Sequence, residues 1–423
     1  MSAAQVDRSS LCTHCGYCLP VCPTYRVEND ELHSPRGRVS IVLALHQGAL
    51  TSDQAAEALS HCLLCRACHQ ACPADVRPVK LILAVREERP HSPSFVGRVL
   101  HFFTNSHRRS AWGRFILDFY RRSGGQRWLR QHNGLRWWPK LQHLEGLIPQ
   151  ARPLPVGRTV CLPAGRPRIG LLGGCMARLF YPQIGVATRQ LFQEVWPFEV
   201  VVLDRFGCCG APARESGHRQ AFLRQARQTL DAFQRAGSLT AVVCDSGVCA
   251  VTAKSYARVL GNDPHYAPIA KKFSAMIYEL TEFFAKMVQD QPVVFQDSGL
   301  GRLTFHDHCQ TYHGLGIVEA INVVMTVLPN SYQELPRRGS CCGAGGVYLL
   351  YHPERSQRVL EDKLTAILES GADTVVGTNP GCLMHIESGL RMRGSHVQVR
   401  HLSEVLWSGK KKEGVWGIHP PGV

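Results

Sequence analysis

Eight cysteines near the start of the chain form two identical runs: Cys12, Cys15, Cys18 and Cys22 before Pro23, then Cys62, Cys65, Cys68 and Cys72 before Pro73. In the spacing C-x-x-C-x-x-C-x-x-x-C-P, three thiolates wrap three irons of one cubane. The fourth cysteine, turned away by the proline, reaches the other cluster. The expected ligand sets therefore cross. Cys12, Cys15, Cys18 and Cys72 hold one 4Fe-4S cluster, and Cys62, Cys65, Cys68 and Cys22 hold the second. Structural zinc sites pair two short C-x-x-C units and need no third closely spaced cysteine, so zinc, or plain buried thiols, explains less of the pattern.

Eight more cysteines carry a larger duplication. Cys175, the vicinal Cys208-Cys209-Gly210 and Cys249 recur as Cys309, Cys341-Cys342-Gly343 and Cys382, at offsets of 134, 133, 133 and 133 residues. Free cysteine is among the most buried residue types, which explains burial but not so constant a register. A vicinal disulfide is strained and is reduced in a cytosol. The sets Cys175, Cys208, Cys209, Cys249 and Cys309, Cys341, Cys342, Cys382 are therefore candidate metal sites, which would add one or two further iron-sulfur clusters to the first two. His306 and His308 flank Cys309 as candidate outer donors or a rare ligand, a hydrogen-bonded histidine being the commoner state. Cys161 and Cys244 stand outside both patterns and default to structural roles.

These residues need elements to hold them. Between the first two runs, Ser34 to Gly48 reads as a helix on which Val39, Leu43 and Leu45 share a face, and Leu81 to Arg89 reads as another. In the duplicated part strands alternate with helices: a strand over Arg168 to Gly174, a helix near Ile184 to Trp196, a strand over Glu199 to Asp204, a helix near Arg214 to Arg235, and a strand over Thr240 to Cys244. The second copy repeats this with Leu303 to His308, a helix near Ile317 to Leu328, a weak strand near Tyr332 to Leu335, a helix near Pro353 to Ser370, and a strand over Thr374 to Asn379. Both copies end alike, with Thr281 and Ser403 placed as helix N-caps. The alternation predicts parallel sheets, and every repeated cysteine falls just past a strand's carboxyl end, the edge where open α/β sheets hold ligands. The thiols of each copy should converge.

The first two runs with their helical spacer resemble the two-cluster ferredoxin domain of respiratory iron-sulfur subunits; the small two-strand ferredoxin fits less well. The CC-G pattern with one cysteine upstream and one downstream resembles the cysteine-rich domain of heterodisulfide reductases and of flavin-linked 2-hydroxy-acid dehydrogenases. Tandem copies of it behind CTHCGYCLPVCPTY and SPRGR look like the iron-sulfur subunits of glycolate oxidases, over nearly the whole chain. The resemblance implies a multidomain α and α/β fold. Residues 1–89 form a helical two-cluster 4Fe-4S ferredoxin domain and 90–165 a basic, aromatic-rich connector. Residues 166–290 and 300–409 form two repeated α/β cysteine-rich domains with parallel sheets, and 410–423 a tail. It also implies an oxidoreductase electron-transfer subunit. Such a subunit takes electrons from an FAD-containing 2-hydroxy-acid dehydrogenase subunit that oxidises glycolate to glyoxylate, and passes them toward a quinone or another acceptor. D-lactate and glycerol 3-phosphate dehydrogenases use related subunits. One departure concerns cluster type: heterodisulfide reductases end the pattern in C-x-x-C, whereas Ser246 and Asn379 stand three residues before Cys249 and Cys382, leaving four repeated thiols per domain instead of five.

Composition sets the outer bounds. With 44% apolar and 19% charged residues the chain has a globular balance, and no apolar run approaches the ~20 residues that cross a bilayer. The N-terminus lacks the apolar core and cleavage site of a secretory signal, so a cytoplasmic location is expected. Of the formal charge of +15, residues 91–158 carry +10, together with four of the seven tryptophans. On this stretch Trp112, Ile116 and Phe119 follow helical spacing, with Arg114, Arg121 and Arg122 elsewhere around the helix. The connector is thus a candidate surface for peripheral contact with the inner face of the cytoplasmic membrane or for a partner subunit, against the plainer reading of a solvated linker. No base-reading motif accompanies the charge, so nucleic acid is not an expected partner. There is no flavin fingerprint, Walker loop or nucleophile elbow, and no catalytic residue is expected on this chain. Two other readings use the same cysteines: a heterodisulfide-reductase-like thiol or quinone reductase, against which the missing fifth cysteine argues, and a zinc-bound interaction protein.

Overall fold

The computed structural model describes residues 11–92, 94–132, 134–155, 165–196, 198–203 and 207–410; Cys161, and the tail beyond Lys410, lie outside them. Residues 11–92 are helical, with no strand among those described. Helices α1 (Pro23–Glu28), α2 (Pro35–His46), α3 (Ser52–Ser60), α4 (Ala67–Gln70) and α5 (Pro78–Glu88) follow from local signals. The Ser34 side chain accepts from Gly37 N–H ahead of Pro35, and Thr51 with Gln54 forms a capping box. Pro78 opens α5 where a missing N–H costs nothing. α2, α3 and α5 bury Val39, Val42, Leu59, Ile82 and Val85 together. The inward face of α2 runs through Arg38, Val39, Ile41 and Val42, while Leu43 and Leu45, expected beside Val39, lie half-buried at its edge.

The connector folds into α6 (Phe95–Thr104), α7 (His107–Arg122), α8 (Gly125–Gln131) and α9 (Pro139–Leu147). α6 and α7 pack on α10 (Cys175–Phe180), and Gly113 marks the crossing: a Cβ there would stand 2.8 Å from Phe103 and 3.0 Å from Leu179. Trp112, Ile116 and Phe119 are exposed on α7, as are Arg114 and Arg122. Arg121 differs from the expected pattern. It turns inward, pairs with Asp118 at 3.6 Å and donates to the Phe180 carbonyl, because the last turn of α7 lies against the end of α10.

The first cysteine-rich domain has a parallel sheet of order β2-β1-β3-β4, from β1 (Arg168–Leu172), β2 (Glu199–Val202), β3 (Ala241–Cys244) and β4 (Ile277–Glu279). Helices α11 (Pro182–Glu194), α12 (Ala211–Glu215), α13 (Arg219–Arg235), α14 (Gly247–Lys254), α15 (Tyr256–Val259), α16 (Tyr266–Ala275) and α17 (Leu280–Asp290) connect and cover it. The expected end of β2 at Asp204 lies outside the described residues. The second domain repeats the topology with β5 (Leu303–Phe305), β6 (Thr374–Gly377) and β7 (Gln398–His401), flanked by α18 (Val318–Val327), α19 (Tyr348–Tyr351), α20 (Pro353–Glu369), α21 (Pro380–Met392) and α22 (Leu402–Gly409). The weak strand near Tyr332 to Leu335 shrinks to one parallel bridge between Tyr332 and Leu303, in the place β2 holds in the first copy. Pro336 follows at once and cannot donate to a ladder.

The two domains exchange helices across a pseudo-twofold. α11 of the first packs on α22, the last helix of the second, and α17, the last helix of the first, packs on α18. Phe192, Trp196, Phe283 and Phe284 meet Val324, Leu402 and Leu406 in one shared core. The caps differ from expectation: neither Thr281 nor Ser403 is the N-cap. The strand-end residues Glu279 and His401 cap α17 and α22, each in a box with the glutamate three residues on, because a buried strand-to-helix corner needs an acceptor long enough to reach back to the second helical N–H. His401 also ties the domains, its Nε2–H donating to the Asp245 carbonyl at 2.9 Å while its Nδ1 accepts from Ser403 N–H.

Burial holds the His401 imidazole neutral, down to about 4 from its ordinary 6.5. The unfolded chain therefore takes up a proton in acid that the folded chain refuses. Stability is full above pH ~6.5 and is lost as pH falls toward 4, by up to about 3 kcal/mol from this residue. The thermal midpoint should drop between pH 7 and pH 5, and less steeply in His401→Asn, which keeps an acceptor at the cap. An identical slope in the variant would place the titrating group elsewhere.

Candidate metal centres

The two ferredoxin runs share a strained backbone. The residue before the second cysteine is left-handed in both, His14 at φ 56° and Leu64 at φ 54°, and so is the residue after it, Gly16 at φ 88° and Arg66 at φ 67°. Non-glycine residues held there cost about 1–2 kcal/mol each, a strain that turns successive thiols toward one point. Cys22 is buried beside the other run. With Cys62, Cys65 and Cys68 it lines one cavity, closed by Arg38, Ile82 and Val79. Arg38 directs Nη1 at the Cys22 sulfur at 3.8 Å and donates Nη2–H to Thr24 Oγ1 and the His61 carbonyl. Arg86 gathers the carbonyls of Leu59, Ser60 and Cys62, which fixes the entry to the second run. Cys12 and Cys72 both lie half-buried against the α2–α3–α5 core, Cys18 is half-buried and Cys15 is exposed. Burial pushes the Cys18 thiol up to about 11 and those of Cys65 and Cys68 well above the ordinary thiol range, with neighbouring thiols adding to the shift.

In the cysteine-rich domains the repeated thiols do converge. Cys175, Cys208, Cys209 and Cys249 form one buried cluster, with Cys175 and Cys208 sulfurs 3.6 Å apart. Hydrogen bonds from Cys175 and Cys209 pull the Cys208 thiol down, while its partners are pushed up, so the set shares its protons as one group. In the second domain Cys309 joins Cys341, and Cys342 interacts with Cys341 and Cys382. The glycine of each CC-G is required: Gly210 has φ 88° and Gly343 φ 83°, and each N–H donates to the first sulfur of its pair at 3.4 Å. A Cβ at Gly343 would stand 2.4 Å from the Ser356 carbonyl oxygen. Ser246 and Asn379, which replace the fifth cysteines, meet at 3.4 Å on the pseudo-twofold, and Asn379 Nδ2–H donates to the Cys382 sulfur at 3.0 Å. Cys244 ends β3 in the Leu172–Phe222–Tyr256 core, a structural place.

Two relationships were not legible in the spacing. Cys65 shares a buried cluster with Cys309, Cys341, Leu63 and Tyr348, so the second ferredoxin run abuts the second cysteine-rich set. Both cysteine-rich sets, moreover, line a single cavity of about 420 Å³ whose far wall is apolar, from Leu100, Ile116, Leu117, Leu144 and Leu147 of the connector.

Comparison with known proteins fits this layout. A family model described as a 4Fe-4S dicluster domain matches residues 8–76, and one described as a cysteine-rich domain matches 169–254 and 303–387. The chain is 29% identical to a probable glycolate oxidase iron-sulfur subunit of Bacillus subtilis, over 93% of this chain and 92% of the relative. It is 27% identical to the glycolate oxidase iron-sulfur subunit of Escherichia coli, over 95% and 94%. Lactate utilization protein A of Halalkalibacterium halodurans is 31% identical over 56% of this chain and 96% of that protein. Among solved structures, a hypothetical protein from Helicobacter pylori shares the fold at a TM-score of 0.57 and 10% identity, over 98% of this chain and 74% of that one.

The residues fit an anionic metal-thiolate group on physical grounds. Lys363 is 1% exposed, its Nζ has no hydrogen-bond partner among the described residues, and its surroundings are Asp307, Cys342, Cys341 and Cys382. Burial pushes its ammonium below the ordinary lysine range. A buried, unpaired cation is costly unless an anion sits beside it. Lys363→Met should therefore act with opposite signs, raising the thermal midpoint of metal-free protein and hastening metal loss from loaded protein under chelator. Destabilisation of both forms would mean that Lys363 serves packing alone.

Proposed function

The chain belongs to the family of glycolate oxidase iron-sulfur subunits, and on that basis we propose that it is the electron-transfer subunit of a glycolate dehydrogenase, taking electrons from an FAD-containing subunit and delivering them toward a quinone. The observation that carries this reading is the buried cluster that joins Cys65 with Cys309 and Cys341 and so sets a ferredoxin thiol beside the cysteine-rich ones. We assign two 4Fe-4S clusters to the crossed sets Cys12, Cys15, Cys18, Cys72 and Cys62, Cys65, Cys68, Cys22, and one or two further iron-sulfur clusters to the CC-G sets. Clusters bound there supply single-electron steps between a two-electron donor and a two-electron acceptor. The chain's own residues hold the thiols in convergent loops, exclude water and compensate charge through Arg38 and Lys363.

The acceptor side is supported by the shared cavity. The thiols line one side of it, where clusters would sit, and its apolar far wall suits the ring and tail of a quinone. The helices that form this wall also carry the exposed Phe95, Phe102, Trp112, Phe115 and Phe119 beside Arg98, Arg108, Arg114 and Arg122. An aromatic face ringed with arginines suits an interfacial position on anionic lipid. No described helix is long and apolar enough to cross a membrane, and the proposed contact is a peripheral one. The likeness to a lactate utilization protein supports lactate as a second reading for the donor's substrate.

Co-purified anaerobically with its flavoprotein, the complex should reduce decylubiquinone with glycolate at a kcat/KM at least tenfold above that with D-lactate or glycerol 3-phosphate. A preference for lactate would shift the assignment to the second reading, and failure to bind any flavoprotein would end both. Replacing Arg108, Arg109, Arg114 and Arg122 with glutamate should move the complex from the membrane pellet to the supernatant in low salt. Unchanged sedimentation would exclude the connector as the membrane contact.

A further inference from the structure

The duplicated thiol sets are not equivalent. In the second, His306 lies one residue past the end of β5, 1% exposed, and one of its ring nitrogens is within 4.8 Å of the sulfurs of both Cys342 and Cys382. Neither Nδ1 nor Nε2 has a hydrogen-bond partner among the described residues. A core histidine normally satisfies at least one ring nitrogen, and leaving a buried polar atom unmet costs about 1–3 kcal/mol. His308, two residues on, shows the ordinary case, with Nε2 at 3.3 Å from Thr378 Oγ1. At the offset that aligns Cys175 with Cys309, the first domain has Leu172, an apolar core residue with no lone pair to offer. The first set therefore has four thiols, and the second has four thiols and an unclaimed imidazole.

We propose that His306 is an iron ligand of the second centre, close enough to Cys342 and Cys382 to hold one ion with them, so that the second centre is nitrogen- and sulfur-ligated and the first is all-thiolate. The inference rests on the iron-sulfur assignment of the CC-G sets made above. It gives a fifth donor to a set that Asn379 leaves with four thiols. Imidazole binds metal as a neutral donor, and the nearby Lys363 and burial both favour the neutral ring. Against the five-thiolate centre that a cysteine at this position would make, a neutral nitrogen leaves the centre less negative and raises its reduction potential, as histidine does in Rieske centres.

The test is pulsed EPR on reduced protein, isolated anaerobically as the full chain, with natural-abundance or 15N-labelled histidine. A directly bound imidazole gives a strong nitrogen hyperfine coupling that changes with the label. His306→Cys should abolish the coupling, keep the iron and acid-labile sulfide content and lower the midpoint potential of that centre, while His308→Asn keeps the coupling. A labelled coupling that survives in His306→Cys, or its absence from wild-type protein that contains iron and sulfide in the CC-G sets, overturns the ligand assignment and leaves the electron-transfer reading standing. CC-G sets without iron overturn the cluster assignment on which it rests, and the ligand with it.

Discussion

The reciprocal exchange of helices between the two cysteine-rich domains is the constraint from which the rest of the layout follows. Each domain lays its first long helix against the last helix of the other, and the aromatic residues Phe192, Trp196, Phe283 and Phe284 fill the seam. Such rings bury much apolar area at little entropic cost and set the domains in one orientation. That orientation brings the carboxyl ends of both sheets together, so cysteines from three loops of each domain face one cavity. The pairs His401–Asp245 and Ser246–Asn379 lock the same seam at its polar centre. The ferredoxin helices then close one side of the assembly, held by the Glu28 ion pairs with Arg355 at 2.6 Å and Arg358 at 3.1 Å.

Charge is the second organising quantity. The formal +15 counts every thiol as neutral. Four thiolates around a cubane core leave roughly two negative charges per cluster, so the loaded protein is much less basic than its sequence. The interior is built for that state: Arg38 points at the Cys22 sulfur, and Lys363 lies among Asp307 and the thiols of Cys341, Cys342 and Cys382. What remains positive is concentrated on the connector. A basic surface and a cation-lined interior therefore coexist at a net charge that is still positive but smaller than the sequence alone gives.

Much of this was legible in the spacing of the cysteines, because ligand geometry admits few arrangements of backbone. The doubled C-x-x-C-x-x-C-x-x-x-C-P runs place Cys22 among the second run's thiols, and the strict 133-residue register foretells two parallel sheets with converging thiols. Periodicity was less informative where a residue's role depends on a distant partner. Arg121 belongs on the exposed face of an isolated helix, but the arrival of α10 draws it inward. Thr281 and Ser403 are sound caps for an isolated helix, yet in the folded chain Glu279 and His401 displace them, since β4 and β7 end directly at the helices. The shared cavity and the contact of Cys65 with Cys309 arise from domain packing, which no local pattern encodes.

The burial of Cys65 also bears on the order in which the molecule is made. Leu63 and Cys65 share a buried cluster with Tyr348 and Val359, residues of a domain that leaves the ribosome well after them. Once that domain docks, the Cys65 thiol is sealed from any carrier protein large enough to deliver iron and sulfide. The ferredoxin loops emerge hundreds of residues earlier, with their strained Leu64 and Arg66 not yet covered. Chain growth thus opens an interval for cofactor insertion, and the docking of the second cysteine-rich domain ends it.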